Sequence, residues 1–213
     1  EQRVELDERL LATPALALSR SRAVAADMAE HAVRALKDSL TAIDSYSPAL
    51  AERIRQDEEL CDHYEDILST YLVKLSAEQM GTAESEEAAA LLKSIGDFER
   101  ISDHAVNTLE SAEELRDKNL TFSPSAVAEF SVLAGAVSEI LDLSLACFEK
   151  NDSSIAAEVE PLVHLSILAL NNYMIFAERA LFTPQIEAAK RGLLRLAERK
   201  GEKHSGCLDE GRA

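Results

Sequence analysis

Four Ser-Pro or Thr-Pro pairs limit most strongly how this chain can fold. A Ser or Thr before a helix accepts a hydrogen bond from an unpaired backbone N–H, and Pro suits the first helical position because it has no N–H to lose. The chain holds only seven glycines and one further proline, Pro161, so few other signals interrupt the stretches after these pairs. Each pair therefore predicts a helix start. The pairs are Thr13-Pro14, Ser47-Pro48, Ser123-Pro124 and Thr183-Pro184.

Two further starts follow from Ser85, before an acidic pair, and from Asp152, after a turn. Apolar residues recur at steps of three and four between these starts, which is typical of helices in a bundle. The fold class is therefore all-α. The predicted helices are 14–46, 48–80, 85–118, 124–149, 153–181 and 184–200, with a polar tail at 201–213.

A weak internal repeat groups these helices into two bundles. A shift of 105 residues places the segment from Ser47 on the segment from Asp152, with apolar residues matching on the preceding helices. Short connections favour antiparallel neighbours. We therefore expect tandem three-helix bundles, the first at 14–118 and the second at 119–200.

Charge and motif content exclude several classes of function. The chain carries 39 acidic and 22 basic residues, a formal net charge of −17, and should repel nucleic acid. It contains no GxGxxG, GxxxxGK[ST], GxSxG or HExxH motif, so no enzyme class is indicated. The three cysteines, Cys61, Cys147 and Cys207, lack paired spacing, which predicts a reducing compartment and neither a disulfide framework nor a zinc site.

Membrane insertion is not predicted for this stretch of chain. No apolar run approaches the roughly 18 to 20 residues needed to span a bilayer, and the N-terminus is too charged for a signal peptide. The sequence starts with Glu1 instead of Met, so we expect it to be part of a longer protein.

Two acidic pairs share one spacing and are the main candidates for a site. Glu58 precedes Asp62 in the second predicted helix, and Glu99 precedes Asp103 in the third, each by four residues. Residues four apart lie on one helix face, so each pair can present two carboxylates to a common point. If the two helices are neighbours, four repelling carboxylates would converge, and a hard or borderline cation would relieve that repulsion.

Glu65 and either Asp97 or His104 would lie close behind this group. The alternative interpretation is that these acids form only the solvated flank of two helices. A ferritin-type oxidase is disfavoured because such sites use Glu-x-x-His motifs, and this chain has none.

Three segments carry a resemblance to one family. The string GDFERISDHAVN, from Gly96 to Asn107, resembles the signature of PhoU domains. The stretch from Glu58 to Leu75 resembles the matching helix of that family. The string DERLLATPALAL, from Asp7 to Leu18, is similar to the connector that joins the membrane domain to the PhoU domain in sodium/phosphate cotransporter-family proteins.

The resemblance implies a cytoplasmic regulator of phosphate transport, with 1–13 as the connector from a preceding membrane domain and a location at the inner face of the cell membrane. The transporter domain, in the same polypeptide, would be its partner. The family binds metal through its acidic motifs, which implies a divalent or trivalent ion, whether iron, manganese, zinc or magnesium. The implied ligands are Glu58, Asp62, Glu99 and Asp103. The second hypothesis is a metal-free helical adaptor that docks on a transporter or signalling partner.

The second bundle departs from the family pattern. Under the 105-residue shift, the positions of the four acids correspond to Val163, Ile167, His204 and Leu208. Any metal site is therefore expected only in the first bundle. A divergent or incomplete second bundle would expose apolar faces, so we also expect a homo-oligomer to be a candidate assembly.

Overall fold

The protein is all-α, as predicted, in a computed structural model that describes residues 6–150. Within that range there is no strand, and a short 3₁₀ helix precedes four α-helices. The predicted helices at 153–181 and 184–200 and the tail lie outside the described residues. The 3₁₀ helix spans Glu8–Ala12, and the α-helices are α1 (Pro14–Asp44), α2 (Pro48–Leu75), α3 (Thr82–Asp117) and α4 (Pro124–Lys150).

The proline-based starts are confirmed for α1, α2 and α4. The Ser47 hydroxyl accepts a hydrogen bond from the Leu50 N–H at 3.1 Å, and the Ser123 hydroxyl accepts one from the Ala126 N–H at 3.2 Å. Thr13 makes no such side-chain bond, and there Pro14 alone marks the first turn. The proline is thus the more dependable part of this signal.

Two predicted helix ends are wrong by three to five residues. α2 ends at Leu75 and not at residue 80. Directly after this end, the Ser76 hydroxyl donates a hydrogen bond to the Leu72 carbonyl at 2.9 Å. α3 begins at Thr82 and not at residue 85, because the Glu84 carboxylate accepts a hydrogen bond from the Gly81 N–H at 2.8 Å. This bond from the third helical position caps the helix one turn earlier than the Ser85 signal.

Helices α1, α2 and α3 pack on one another through the apolar seams that the sequence predicts. Short connections make consecutive helices antiparallel. In α2 every residue of the predicted seam is buried. In α3 the predicted seam consists of Leu91, Ile95, Phe98, Ser102, Ala105, Leu109 and Ala112, and all of them are buried except Phe98, which is partly exposed. The α2 seam consists of Ile54, Cys61, Tyr64, Leu68, Tyr71 and Leu75.

The chain divides into two compact units, and α4 contributes to both. The described part of the first unit is 6–121 and 141–150, and that of the second is 122–140. Within the first unit the Phe148 ring meets Phe98 edge to face, with centroids 4.9 Å apart. The guanidinium of Arg22 lies 5.8 Å from the same Phe148 centroid. The predicted domain boundaries stay a prediction.

The segment before α1 is docked on α2. The Tyr71 hydroxyl donates a hydrogen bond to the Asp7 carbonyl at 3.1 Å, and Lys74 pairs with Glu8 at 2.5 Å. Leu10 and Leu11 pack partly buried against the core of the bundle. The N-terminal segment is thus attached to the helix that carries Glu58 and Asp62.

One helix is more apolar than the sequence analysis expected. Within Ala126–Lys150, a window of 18 residues has a mean hydropathy of 1.6, and the stretch is long and apolar enough to cross a membrane, so the expectation that no run approaches that length was wrong. Length and composition alone are weak evidence, because core helices of soluble proteins pass the same test.

Candidate metal centre

The antiparallel pairing of α2 and α3 brings the two acidic pairs into mutual interaction. Asp103 on α3 acts electrostatically on both Glu58 and Asp62 of α2. The charges of Asp62 and Asp103 act in turn on Glu99 of α3. Glu58, Asp62, Glu99 and Asp103, called the acidic cluster below, therefore interact across the α2–α3 boundary.

The cluster lies at the surface edge of the bundle. Glu58 and Glu99 are half-buried, whereas Asp62 and Asp103 are exposed. This placement follows from their positions in the sequence, because each acid directly follows a residue of the packed helix face. Asp57, Cys61 and Ser102 on that face are buried, and Phe98 before Glu99 is partly buried. The cluster is accessible to solvent on one side and backed by the core on the other.

Partial burial and mutual repulsion both oppose ionisation of the cluster. Loss of hydration raises the pKa of Glu58, and the neighbouring charges of Asp62 and Asp103 raise it further. Burial likewise raises the pKa of Glu99, with the charge and hydrogen bond of Asp103 adding to the effect. The pKa of Asp62 is raised by the same two causes, with Asp103 as its strongest repelling neighbour.

Basic side chains of the described segment do not neutralise the cluster. No lysine or arginine ion pair between residues 6 and 150 involves any of its four carboxylates. Arg100, the nearest arginine in sequence to Glu99, pairs with Asp97 at 3.1 Å.

Two of the expected neighbours are resolved by the structure. Glu65 does approach the cluster, because its charge acts on Glu99. Asp97 is engaged with Arg100, and His63 lines an open groove beside Asp66 and Lys74. Glu65 therefore adds to the negative charge of this surface, as do Glu59 and Asp66, whose charges act on Glu58 and Asp62.

The donor set fits a cation that prefers oxygen ligands, but its side chains are not arranged as a finished site. Across residues 6–150, no group of three or more His, Cys, Asp or Glu side chains is placed to hold a metal ion. Carboxylates suit magnesium, manganese and iron, whereas zinc sites favour nitrogen and sulfur donors. Coordination by three of the four acids would require their side chains to rotate toward a common point.

Cys61 lies beneath the cluster and is not a thiolate ligand. Its side chain is fully buried, and its thiol donates to the Met28 carbonyl with a sulfur–oxygen distance of 3.7 Å. Burial raises the pKa of this thiol to about 12, against a smaller opposing effect of the Ser102 hydroxyl. The thiol therefore stays protonated at neutral pH.

A buried ion pair beside the cluster was missed by the sequence analysis. Asp57, directly before Glu58, has a side chain only 4% exposed. It is bound by Arg34 of α1, and the His31 ring nitrogen Nδ1 lies 2.8 Å from its Oδ1. The signal was present, because Asp57 stands on the apolar seam between Ile54 and Cys61, where a charge requires a buried partner.

The arrangement defines an all-α bundle with an acidic surface between its second and third helices. Residues 25–112, which contain the whole acidic cluster, match the family model of the PhoU domain. That family is a helical regulatory family and not a family of enzymes. No curated protein and no solved structure matches the chain.

Proposed function

We propose that this protein regulates phosphate transport through a PhoU domain that binds a metal ion at the acidic cluster. The observation that carries the proposal is the mutual repulsion of Glu58, Asp62, Glu99 and Asp103 across α2 and α3, with no lysine or arginine ion pair to them among the described residues. Bundle proteins build carboxylate metal sites from facing helices in a comparable way.

The all-oxygen donor set favours manganese, magnesium or iron over zinc. A bound ion would offset the repulsion between the two acidic pairs and so join α2 to α3. Glu58 and Glu99, which are half-buried, would be the inner ligands, and the exposed Asp62 and Asp103 the outer ones. Metal binding would then favour one packing of the bundle over others, which is what a regulatory site must do.

The proposed partner is a membrane transporter domain in the same polypeptide, with the protein at the cytoplasmic face of the membrane. The docking of the N-terminal segment on α2 supports this proposal, because Tyr71 and Lys74 tie that segment to the helix that carries Glu58 and Asp62. A movement of the segment would therefore act directly on one half of the acidic cluster. A homo-oligomer is a further proposed assembly, and no catalytic activity is proposed.

A metal-free helical adaptor is the second candidate function. The absence of a ready three-ligand group among residues 6–150 favours it. In that case the acidic surface would be a docking surface for a basic partner, with its affinity falling as salt increases.

Metal content and affinity distinguish the two candidates. The protein is purified without a metal-affinity tag, analysed for bound elements, and titrated with Mn²⁺ by calorimetry. The test variant is Glu58→Gln/Glu99→Gln, and the matched control is Glu52→Gln/Glu110→Gln, which removes two exposed charges from the same helices. Circular dichroism checks that all three proteins keep their helicity.

Near-stoichiometric Mn²⁺ binding that is lost in the test variant and kept in the control supports the metal site. Equal Mn²⁺ binding in both variants, or no Mn²⁺ binding by the wild-type protein, would contradict the metal site and favour the metal-free adaptor. The transport role is tested separately, by radiolabelled phosphate uptake in cells that express the full-length protein. The test variant should change uptake or its response to phosphate supply, and the control should not.

A further inference from the structure

An open groove, called the α2 groove below, runs along one face of α2 beside the N-terminal segment. Its volume is about 370 Å³. The α2 residues that line it are His63, Asp66, Ile67, Thr70, Tyr71 and Lys74. They recur at steps of three and four, so they form one stripe along the helix. Leu6 and Glu8 of the N-terminal segment supply the remaining lining.

The N-terminal segment enters the α2 groove at one end and runs along it. Glu8 pairs with Lys74 at 2.5 Å, whereas the carbonyl of Asp7 accepts a bond from Tyr71, three residues earlier on α2. A step back along the segment therefore leads toward the N-terminal end of α2. Asp7 has an extended backbone, with φ −72° and ψ 113°, and Leu6 packs against the core. The chain thus points from Leu6 toward the far end of the groove.

The five residues before Leu6 lie outside the described residues, and they match the rest of the groove in length and pattern. From Tyr71 to His63 the helix advances about 12 Å, which an extended chain covers in about four residues. Side chains of an extended chain alternate between two faces, so Val4 shares the face of Leu6. Val4 is the only large apolar residue of these five. It would therefore lie against Ile67, which is half-buried and apolar.

We propose that residues 1–5 bind in the α2 groove as an extended segment, with the Val4 side chain against Ile67. Transfer of this side chain out of water stabilises the bound segment, while Arg3 and Glu5 on the other face stay hydrated. A small ligand suits the groove less well, because ligand pockets enclose most of the ligand surface and this groove is open. Docking of the segment needs no metal ion, so it goes beyond the proposed function.

Single cysteines at positions 3, 4 and 5 test the docking in the full chain. The three variants are Arg3→Cys, Val4→Cys and Glu5→Cys. Each also carries Cys207→Ser, and the two other native cysteines, Cys61 and Cys147, are buried. The rate of maleimide labelling at each new thiol is followed by mass spectrometry, and circular dichroism checks the helicity of every variant.

The thiol at position 4 should react about 10-fold more slowly than those at positions 3 and 5. Only undocked molecules react, and an undocked fraction of about one tenth gives this ratio. Cysteine is itself a small apolar side chain, so position 4 can still dock.

A change in the groove shows where the segment is bound. Ile67→Ala, added to Val4→Cys, should remove most of the protection, because it removes the apolar surface under position 4. Val73→Ala is the matched control, since Val73 lies on the same helix, is 64% exposed and does not line the groove. Alanine favours helix at both positions, so both variants should fold.

Equal labelling rates at positions 3, 4 and 5 would overturn the docking. Protection at position 4 that survives in Ile67→Ala would mean that the segment binds elsewhere, which would overturn the groove as its site. Protection that weakens on dilution would mean that the segment binds a second copy of the chain, which would overturn docking within one molecule. These outcomes leave the proposed metal site unaffected, because no measurement includes a metal ion.

Discussion

Arg34 of α1 binds Asp57 of α2 through two parallel hydrogen bonds. The distances are 2.9 Å from Nε to Oδ2 and 2.5 Å from the terminal nitrogen to Oδ1. The Asp57 side chain is 4% exposed and that of Arg34 is 48% exposed, so the carboxylate is buried while the guanidinium still reaches water. Burial alone would raise the pKa of Asp57, but the hydrogen bonds from His31 and Arg34 outweigh it and lower that pKa.

Removal of this carboxylate should destabilise the bundle strongly. In Asp57→Ala we expect the free energy of unfolding to fall by about 3 kcal/mol, the low end for a broken buried pair, because Arg34 can be rehydrated. Asp38→Ala is the control, since it removes the more exposed pair with Arg53 and should cost less than about 1 kcal/mol. Urea unfolding followed by circular dichroism measures both. Similar losses of unfolding free energy in the two variants would show that the Asp57–Arg34 pair stabilises the bundle no more than an exposed ion pair does.

The metal-free protein should become more stable as pH falls from 7 toward 4.5. The pKa values of Glu58 and Glu99 are raised above the ordinary 4.5, so the folded state takes up protons in this window before the unfolded state does. Below pH 3.8 stability should fall again. The pKa of Asp57 in the folded state is lowered, so the stability that this carboxylate contributes is lost as pH falls through its folded-state pKa. Thermal unfolding in the presence of a chelator gives the profile.

The variant Glu58→Gln/Glu99→Gln should lose most of the gain in stability that the wild-type protein shows as pH falls from 7 to 4.5. The control Glu52→Gln/Glu110→Gln should keep that gain. The two variants remove the same charge from the same helices, so net charge cannot explain a difference between them. A rise that survives in the first variant would mean that other acids cause it.

The N-terminal segment should loosen when the Tyr71 hydroxyl is removed. Tyr71→Phe deletes the bond to the Asp7 carbonyl and should cost about 1 kcal/mol, the usual net value of one hydrogen bond. Amide exchange should speed up at Leu10 and Thr13, whose N–H groups close the short 3₁₀ helix. Tyr46→Phe, which deletes a bond to Glu113 at 3.3 Å, should leave these amides unchanged. Unaltered exchange in Tyr71→Phe would mean that apolar packing alone holds the segment.

A single glycine in α3 weakens the helix that carries Glu99 and Asp103. A methyl group at Gly96 would meet no atom within 4 Å, so Gly96→Ala should raise stability by up to about 1 kcal/mol through helix propensity. Gly81→Ala is the matched control, because Gly81 is the N-cap of the same helix and Ala is a poor N-cap. Thermal unfolding should show a gain for the first variant and none for the second. A loss in Gly96→Ala would indicate that α3 uses the flexibility of this glycine.

The sequence predicted the candidate site because spacing within a helix is a local property. Glu58 and Asp62 share a face through helix geometry alone, as do Glu99 and Asp103. Whether the two faces meet depends on the antiparallel alignment of α2 and α3. The sequence did not predict that alignment, so the prediction of a shared site depended on the two helices being neighbours. Asp57 was missed for a similar reason, because its partners Arg34 and His31 lie on another helix more than 20 residues away.

The sequence by itself determined the all-α class, the proline-marked helix starts and the buried seams, since each depends on residues within one or two turns of one another. The tertiary structure decided where α2 ends and α3 begins, which acids act on each other across these two helices, and that Asp57 is paired with Arg34. These outcomes depend on packing between helices. The bond from Arg34 to Asp57 joins residues that no local pattern connects.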